Sequence, residues 1–382
     1  MNGTASLMSF LTEYPSNTLH WDIFCRVIDN YGDAGVCWRL AVDLAQRGET
    51  VQLFIDEPSV LAQLQGSRPP PPGITISQWP DSARYFSADE TADVVIEAFA
   101  CDPPVAYLAA MDARHPKPVW INLEYLSAEG WVDHHHGLPS PHPRYQLTKH
   151  FFFPGFTPKT GGLLREPAIT AHIQSSAIEA SSVRRAIPKQ LDIFLFSYEQ
   201  PAINQWLDAL TAMNQPVRLG VTACPARQQI TDWASKQSST HLLRLKPLSF
   251  VPQAKFDVLL ANYDILFVRG EDSFVRAQWA GKPVVWHIYP QADHVHLDKL
   301  MAFYDRYLDQ GILTQPQKAA YRDFVLAWNG AQSSETTLIR AWQQLVEIYP
   351  LLVKNALIWR TYLLNQPDLV SQLKDFSRHL VK

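Results

Sequence analysis

Two carboxylates, Asp29 and Asp33, sit four residues apart in the segment DNYGDAG at 29–35. The segment follows an apolar run and leads into helical spacing, where a doubly wound domain presents reactive groups. Gly32 and Gly35 permit positive φ and close backbone approach. Two carboxylates around so tight a turn suit a general base and its support, or the capture of a cation. The spacing is not GxGxxG, and two acids would repel a pyrophosphate. On residue chemistry alone, a helix cap by Asp33 explains the motif as well as catalysis does.

A second turn, FVRGEDS at 267–273, combines a strand, Gly270, and Asp272 with Ser273 at a helix start. Free N–H groups and the positive end of the helix dipole make that an anion site, to which Arg269 and Arg276 add charge. Glu271 is awkward beside phosphate and fits sugar or ribose hydroxyls better. An ordinary N-cap remains the alternative. After a later apolar run, Tyr289 and Gln291 are placed to donate to a diphosphate or a sugar. Phe250 and Phe256 flank Pro252 and Gln253 and can sandwich a nucleobase, unless they are core. Consecutive His134, His135 and His136 cannot all face one ion, and no cysteine or carboxylate pattern accompanies them, so no metal site is expected. His294 and His296 are either structural or line the cleft. No GxSxG, Walker A or HExxH pattern occurs.

These turns need elements to hold them. Apolar runs at 21–28, 51–56, 93–99 and 119–123 read as strands. Residues 34–47 and 104–111 carry helical spacing, and Gly48 marks a stop. Residues 130–185 lose the pattern and read as loops plus a domain connection. Strands return at 191–198, 217–222, 242–247, 265–269 and 283–288. Helices are expected at 201–213, 251–262, 273–281 and through most of 335–382. The expectation is an α/β chain of two Rossmann-like domains facing a cleft: a lead-in at 1–20, an acceptor-side domain at 21–185 and a nucleotide-side domain at 186–350. Helices at 351–382 would pack back on the first domain. Ligands then bind at the carboxyl ends of the strands.

Bulk properties agree. The 382 residues exceed one ordinary core. A net charge of −4 argues against a phosphate-backbone binder, so no nucleic-acid partner is expected. Four cysteines without a CxxC pair read as buried free thiols in a reducing compartment. With no basic segment before an apolar leader and no long apolar run, the chain is expected to be cytoplasmic, without a membrane partner.

The stretch from WDIFC at 21–25 through DNYGDAGVCWRLA at 29–41 resembles the bacterial arginine rhamnosyltransferases that modify elongation factor P (the EarP family). FSYE at 196–199, RGEDSFVRAQW at 269–279 and IYPQ at 288–291 extend the resemblance in the same order. It implies a GT-B glycosyltransferase fold, dTDP-β-L-rhamnose as donor, an arginine guanidinium of elongation factor P as acceptor, inversion at the anomeric carbon, and no metal or other cofactor. By the same resemblance Asp33 is the general base, Asp29 its support, and Glu271 lies near the sugar. Asp272, Ser273, Tyr289 and Gln291 contact the diphosphate. Phe250, Phe256 and Phe196 stack on the base, and Tyr198, Gln253 and Arg269 complete the donor set. Asn30, Tyr31, Gly32 and Gly35 form the acceptor loop, and His296 is carried over with the site. Without the resemblance, a nucleoside-diphosphate-sugar epimerase of like architecture, or a non-catalytic translation-factor binding protein, fits the same cleft.

Overall fold

The computed structural model describes residues 18–29, 31–81, 84–171, 173, 187–237, 242–331 and 335–381. Most of the expected lead-in lies outside them, as does Asn30.

Strands covered on both faces must be apolar on both, and VVIEA, VWINL and ILFVR nearly are. The first sheet comprises β1 (His20–Cys25), β2 (Thr50–Ile55), β3 (Ile74–Gln78), β4 (Val94–Ala98), β5 (Val119–Leu123), β6 (Pro139–Pro141) and β7 (Thr148–Phe152). Their order is β3-β2-β1-β4-β5-β7-β6, parallel except for β6. The second comprises β8 (Leu191–Leu195), β9 (Val217–Val221), β10 (Leu243–Pro247), β11 (Ile265–Arg269) and β12 (Val284–His287). It is all parallel, in the order β10-β9-β8-β11-β12. In each sheet the order reverses beside the first strand, between β1 and β4 and between β8 and β11. Connections leave in opposite directions there and open a crevice at the carboxyl ends.

Helices α1 (Tyr31–Gln46), α2 (Pro58–Gln65), α3 (Val105–Ala113) and the short α4 (Val132–His135) serve the first half. The second carries α5 (Ile203–Thr211), α6 (Ala226–Ser235), α7 (Phe256–Ala261), α8 (Asp272–Ala280), α9 (Val295–Asp309), α10 (Gln315–Trp328) and α11 (Glu335–Glu347). The chain ends with α12 (Tyr349–Leu364) and α13 (Leu369–Leu380). Strand alternation sorts the core. Trp21, Ile23 and Cys25 join the large apolar cluster, while Phe24 packs on the opposite face with Phe54, Val95 and Trp120 under Tyr107 of α3.

Some expectations change. The first strand ends at Cys25 and α1 begins at Tyr31, so Asp33 lies inside the first helical turn and is not a cap. Residues 139–152 are not simply loop: β6 and β7 extend the sheet. The segment read as one helix at 251–262 is a 3₁₀ turn followed by α7. All four cysteines are buried and free.

The large cluster runs without a break from the first sheet to the second. Phe156 lies 6.3 Å from Phe274 and 5.8 Å from Trp359, tying a loop of the first half to α8 and α12. Helix α13 then returns to the first half, where Lys374 reaches Glu49 at 2.7 Å and Arg47 meets Asp368 at 2.8 Å.

Within this junction lies a buried cation. Arg39, on α1 and 1% exposed, bonds Glu166 twice, at 2.6 and 2.7 Å, and reaches Asp272 in the first turn of α8 at 2.8 Å. Burial alone would push the Glu166 carboxyl up. The Arg39 charge and hydrogen bonds, helped by Arg276, outweigh it and hold Glu166 at about 2. A depressed acid stabilises above its unfolded value and loses that contribution as pH falls through the folded one. Glu166 should therefore support the junction fully above about pH 4.5 and release it toward about pH 2. Arg39→Met leaves the mostly buried Glu166 and Asp272 carboxylates with Arg276 alone, at 3.8 and 3.5 Å, and should cost about 3 kcal/mol in urea unfolding. The variant should also lose most of the acid-side dependence between those pH values, and an unchanged midpoint would contradict the role given to Arg39.

Candidate active site

Both switch points open into one cleft, because α1 and α8 start at them and Arg39 ties these helices together. Two cavities share it. One, of about 90 Å³, is lined by Phe196, Phe250, Phe256, Val251 and Leu259, with Arg269, Gln253, Asp272 and Ser273 at its polar end. The other, of about 250 Å³, is lined by Asp33, Phe99, Tyr125, Tyr289, Gln291 and Lys299, among others. Asp29, Gly32, Gly270 and Glu271 line both and so form their border.

The border is built by close approach. Tyr198, after β8, donates its hydroxyl to Asp29 Oδ2 at 2.6 Å, joining the two halves. A Cβ on Gly270 would stand 3.0 Å from that same oxygen, and Gly270 has φ +60°. Glycine is required there on both counts. A Cβ on Gly32 would also meet Asp29 Oδ2 at 3.0 Å.

Asp33 is 3% exposed. Its Oδ2 accepts the backbone N–H groups of Ile28 at 2.7 Å and Asp29 at 2.8 Å, so it fixes the turn from inside the helix. Burial pushes its carboxyl above the ordinary aspartate range, against those two hydrogen bonds and with help from the Asp29 charge. Glu271 spans the cleft: Leu126 N–H donates to Oε2 at 2.9 Å, and Lys299 Nζ lies 3.1 Å from Oε1. Burial raises its carboxyl too, and Lys299 opposes the shift. Among the described residues lining the larger cavity, three carboxylates face one ammonium. Such a cavity attracts a cation.

Each expected site residue can now be placed. Asp29, Asp33 and Glu271 come together. The Asp272 carboxylate is engaged by Arg39 and, at 2.8 Å, by Gln253, so its side chain is not free for a diphosphate; only the helix-terminal N–H groups remain for that. Ser273 is buried and donates its hydroxyl to the Arg269 carbonyl, which likewise leaves its backbone as the anion contact. Tyr289 and Gln291 line the acidic cavity and not the aromatic one, on the far side of the border from Ser273. Arg269 stacks over Phe196 at 4.7 Å and Tyr198 at 4.5 Å and lines the aromatic cavity. Arg276 does not serve the anion site: it is buried against Asp257 at 2.6 Å. Phe256 lies 6.4 Å from Phe196, and half-exposed Phe250 packs 5.5 Å from Tyr31.

The expected acceptor loop divides. Tyr31 bonds Gln63 at 2.6 Å and lines the aromatic cavity, not the acidic one. Gly35 is a packing point, where a Cβ would meet Gln253 at 3.1 Å and Asp272 at 3.2 Å. Gln253 also donates to the Gly35 carbonyl at 3.0 Å. His296 is buried and accepts the Gln291 N–H at 3.1 Å, fixing that turn. His135 bonds the Trp131 carbonyl, and His136 accepts from Phe153 N–H with its ring pushed down to about 4 by burial. No group of three or more His, Cys, Asp or Glu among the described residues could hold a metal ion. Nor is any described helix long and apolar enough to cross a membrane.

Sequence reasoning missed Lys299, Phe99, Tyr125 and Arg39. Phe99 and Tyr125 follow the strands at 94–98 and 119–123, so the same sheet-edge rule that flagged Asp29 would have reached them.

A family model described as Elongation-Factor P (EF-P) rhamnosyltransferase EarP matches residues 21–378. A protein-arginine rhamnosyltransferase of Pseudomonas putida is 41% identical over 383 residues, covering 94% of this chain and 98% of its own length. One from Neisseria meningitidis serogroup B is 38% identical over 381 residues, covering 94% and 97%. A solved structure described as the structural basis for EarP-mediated arginine glycosylation of translation elongation factor EF-P is similar with a TM-score of 0.63 and 30% identity, over 95% of this chain and 99% of that one. Acinetobacter baumannii MurG, at 14% identity and a TM-score of 0.51 over 95% and 97%, shares the fold alone. That fold is GT-B, two Rossmann-like units facing a cleft. With its sequence matched almost end to end and its architecture shared, the chain belongs to the elongation-factor P (EF-P) rhamnosyltransferase EarP family, whose curated members are protein-arginine rhamnosyltransferases.

Proposed function

We propose that the chain transfers L-rhamnose from dTDP-β-L-rhamnose to one arginine guanidinium of elongation factor P, with inversion at the anomeric carbon. The observation that carries this reading is the pairing of an aromatic cavity with an acidic one across a shared border. The thymine base takes the apolar cavity between Phe196, Phe250 and Phe256. The anomeric carbon lies at the border, beside Asp29, Gly32, Gly270 and Glu271. The guanidinium takes the acidic cavity.

Arginine carries a pKa above about 12 and is a poor nucleophile while its charge is delocalised. Asp33 and Asp29 hold it through charge-assisted hydrogen bonds and aim one nitrogen at the anomeric carbon. That nitrogen forms the new bond to carbon as the bond to the diphosphate oxygen breaks on the opposite face, and the configuration inverts. Its proton becomes acidic as the bond forms and passes to Asp33. Glu271 faces the sugar hydroxyls. The departing diphosphate gains negative charge, which the N–H groups opening α8 and Arg269 stabilise from the aromatic side of the border. In this reading no metal ion is called for.

Incubating the chain with dTDP-rhamnose and elongation factor P, then weighing the factor intact, should show the gain of one deoxyhexosyl group. An unshifted mass would refute the transfer. Asp33→Asn should slow transfer by roughly 100-fold or more while leaving dTDP affinity within about twofold. A wild-type rate in that variant would remove Asp33 from the role of base. Because the Asp33 carboxyl is raised, the base is lost to protonation at a higher pH than for an ordinary aspartate. The rate at limiting acceptor should therefore climb with pH through a midpoint above the usual aspartate range, and a flat profile down to pH 4 would contradict the assignment.

A further inference from the structure

Beyond the carboxylates, the acidic cavity has an aromatic wall. Phe99 and Tyr125 stack with ring centroids 4.4 Å apart and planes 15° from parallel. Both line the cavity that holds Asp29, Asp33 and Glu271. They come from different turns, after β4 and after β5, at the carboxyl edge of the first sheet. The loop presenting Phe99 is costly. Phe99, Ala100 and Asp102 have φ of +56°, +54° and +52°, a left-handed region that L-residues other than glycine enter only against steric strain. Buried polar side chains of the sheet hold it there: Asn122 accepts from Ala100 N–H at 3.0 Å, and Glu97 accepts from Asp102 N–H at 3.3 Å. The backbone is bent to place a ring beside the acids.

This wall already attends a cation. The Lys299 ammonium lies 5.6 Å from the Tyr125 centroid while pairing with Glu271. Tyr125 is 38% exposed, so it is reachable from solvent. A π face bound by carboxylates favours a planar, weakly hydrated cation over a compact, strongly hydrated one.

We propose that the Phe99–Tyr125 stack is the surface on which the acceptor guanidinium lies, and that it makes the site prefer arginine to lysine. The inference rests on the assignment of the acidic cavity to the acceptor side chain. Asp33 and Asp29 supply charge and direction, and the rings fix the plane of the guanidinium. Neither ring lines the aromatic cavity, so nucleotide binding should not depend on them.

A double-mutant cycle read by calorimetry tests this without turnover. The affinity of elongation factor P is measured for the wild-type chain, Tyr125→Ala and Tyr125→Phe, each against the native factor and a factor whose acceptor arginine is alanine. Tyr125→Ala should weaken the native factor roughly 5- to 30-fold and leave the alanine factor within about twofold, since the ring acts through the arginine. Tyr125→Phe should restore native binding to within about threefold, because the π face remains. Affinity for dTDP should stay unchanged, which also reports that the variants fold. If Tyr125→Ala loses dTDP binding, Phe99→Leu takes its place in the cycle with the same expectation. Equal losses against both factors would make the residue a general contact and overturn the proposal, as would an unchanged native affinity. Failure of the wild-type chain to rhamnosylate the factor would sink the transfer reading instead, a result seen in the mass experiment and not in this cycle.

Discussion

The cleft depends on one buried guanidinium. Arg39 leaves α1 in the first half and spends its donors on Glu166, from the segment between the halves, and on Asp272, which opens α8 in the second. Both helices start at switch points of their sheets. Tying one to the other therefore brings the carboxyl edge of β1 opposite that of β11. The buried pair carries a desolvation cost that good geometry and several hydrogen bonds must offset. What it secures is orientation. The apolar packing of Phe156 between Phe274 and Trp359 supplies area, but such packing sets direction less sharply than a bidentate ion pair does.

Given that orientation, the site's electrostatics follow from which charges the fold leaves over. Asp272 and Arg276 are consumed in the junction, and Glu271 shares Lys299. Asp29 is held by a neutral hydroxyl, and Asp33 by two backbone N–H groups. With Asp272 paired to Arg39, the remaining negative charge lies at the border, on Asp29 and Glu271, and beyond it on Asp33, away from the aromatic cavity. The positive N-terminus of α8 faces the other side of the same border. A neutral sugar placed at that border would have a site for a cationic acceptor on one side and a site for an anionic leaving group on the other. Gly32 and Gly270 make the arrangement possible, since a methyl group at either would press on the Asp29 carboxylate.

Much of this was legible in the sequence, and the part that was not has a physical cause. The order of strands and helices could be read because parallel strands are apolar on both faces and helices are periodic. The two turns stood out because each sets glycine and carboxylates at the end of an apolar run, with a helix cap as the alternative at both. Residues 139–152 hid their strands, since PSP and TKHFF carry no apolar run. Asp33 looked like a cap because α1 starts two residues before it, in a turn whose boundary spacing cannot fix. Asp272 looked like a diphosphate contact; that its carboxylate is held by Arg39, more than two hundred positions away, is a property of the folded chain alone. Phe99 was passed over for another reason: its place at a strand end was readable, but its backbone conformation and its ring partner after the adjacent strand leave no mark in local composition.

On the proposed function, donor and acceptor meet at the border formed by Asp29, Gly32, Gly270 and Glu271, with the acceptor guanidinium on the Asp33 side. A crystal structure of the chain with dTDP and elongation factor P bound together is the decisive experiment. The expected result is thymine among Phe196, Phe250 and Phe256, the terminal phosphate at the start of α8, and a guanidinium nitrogen within hydrogen-bonding distance of Asp33. A nucleotide in the acidic cavity, or an acceptor arginine out of reach of Asp33, would contradict it.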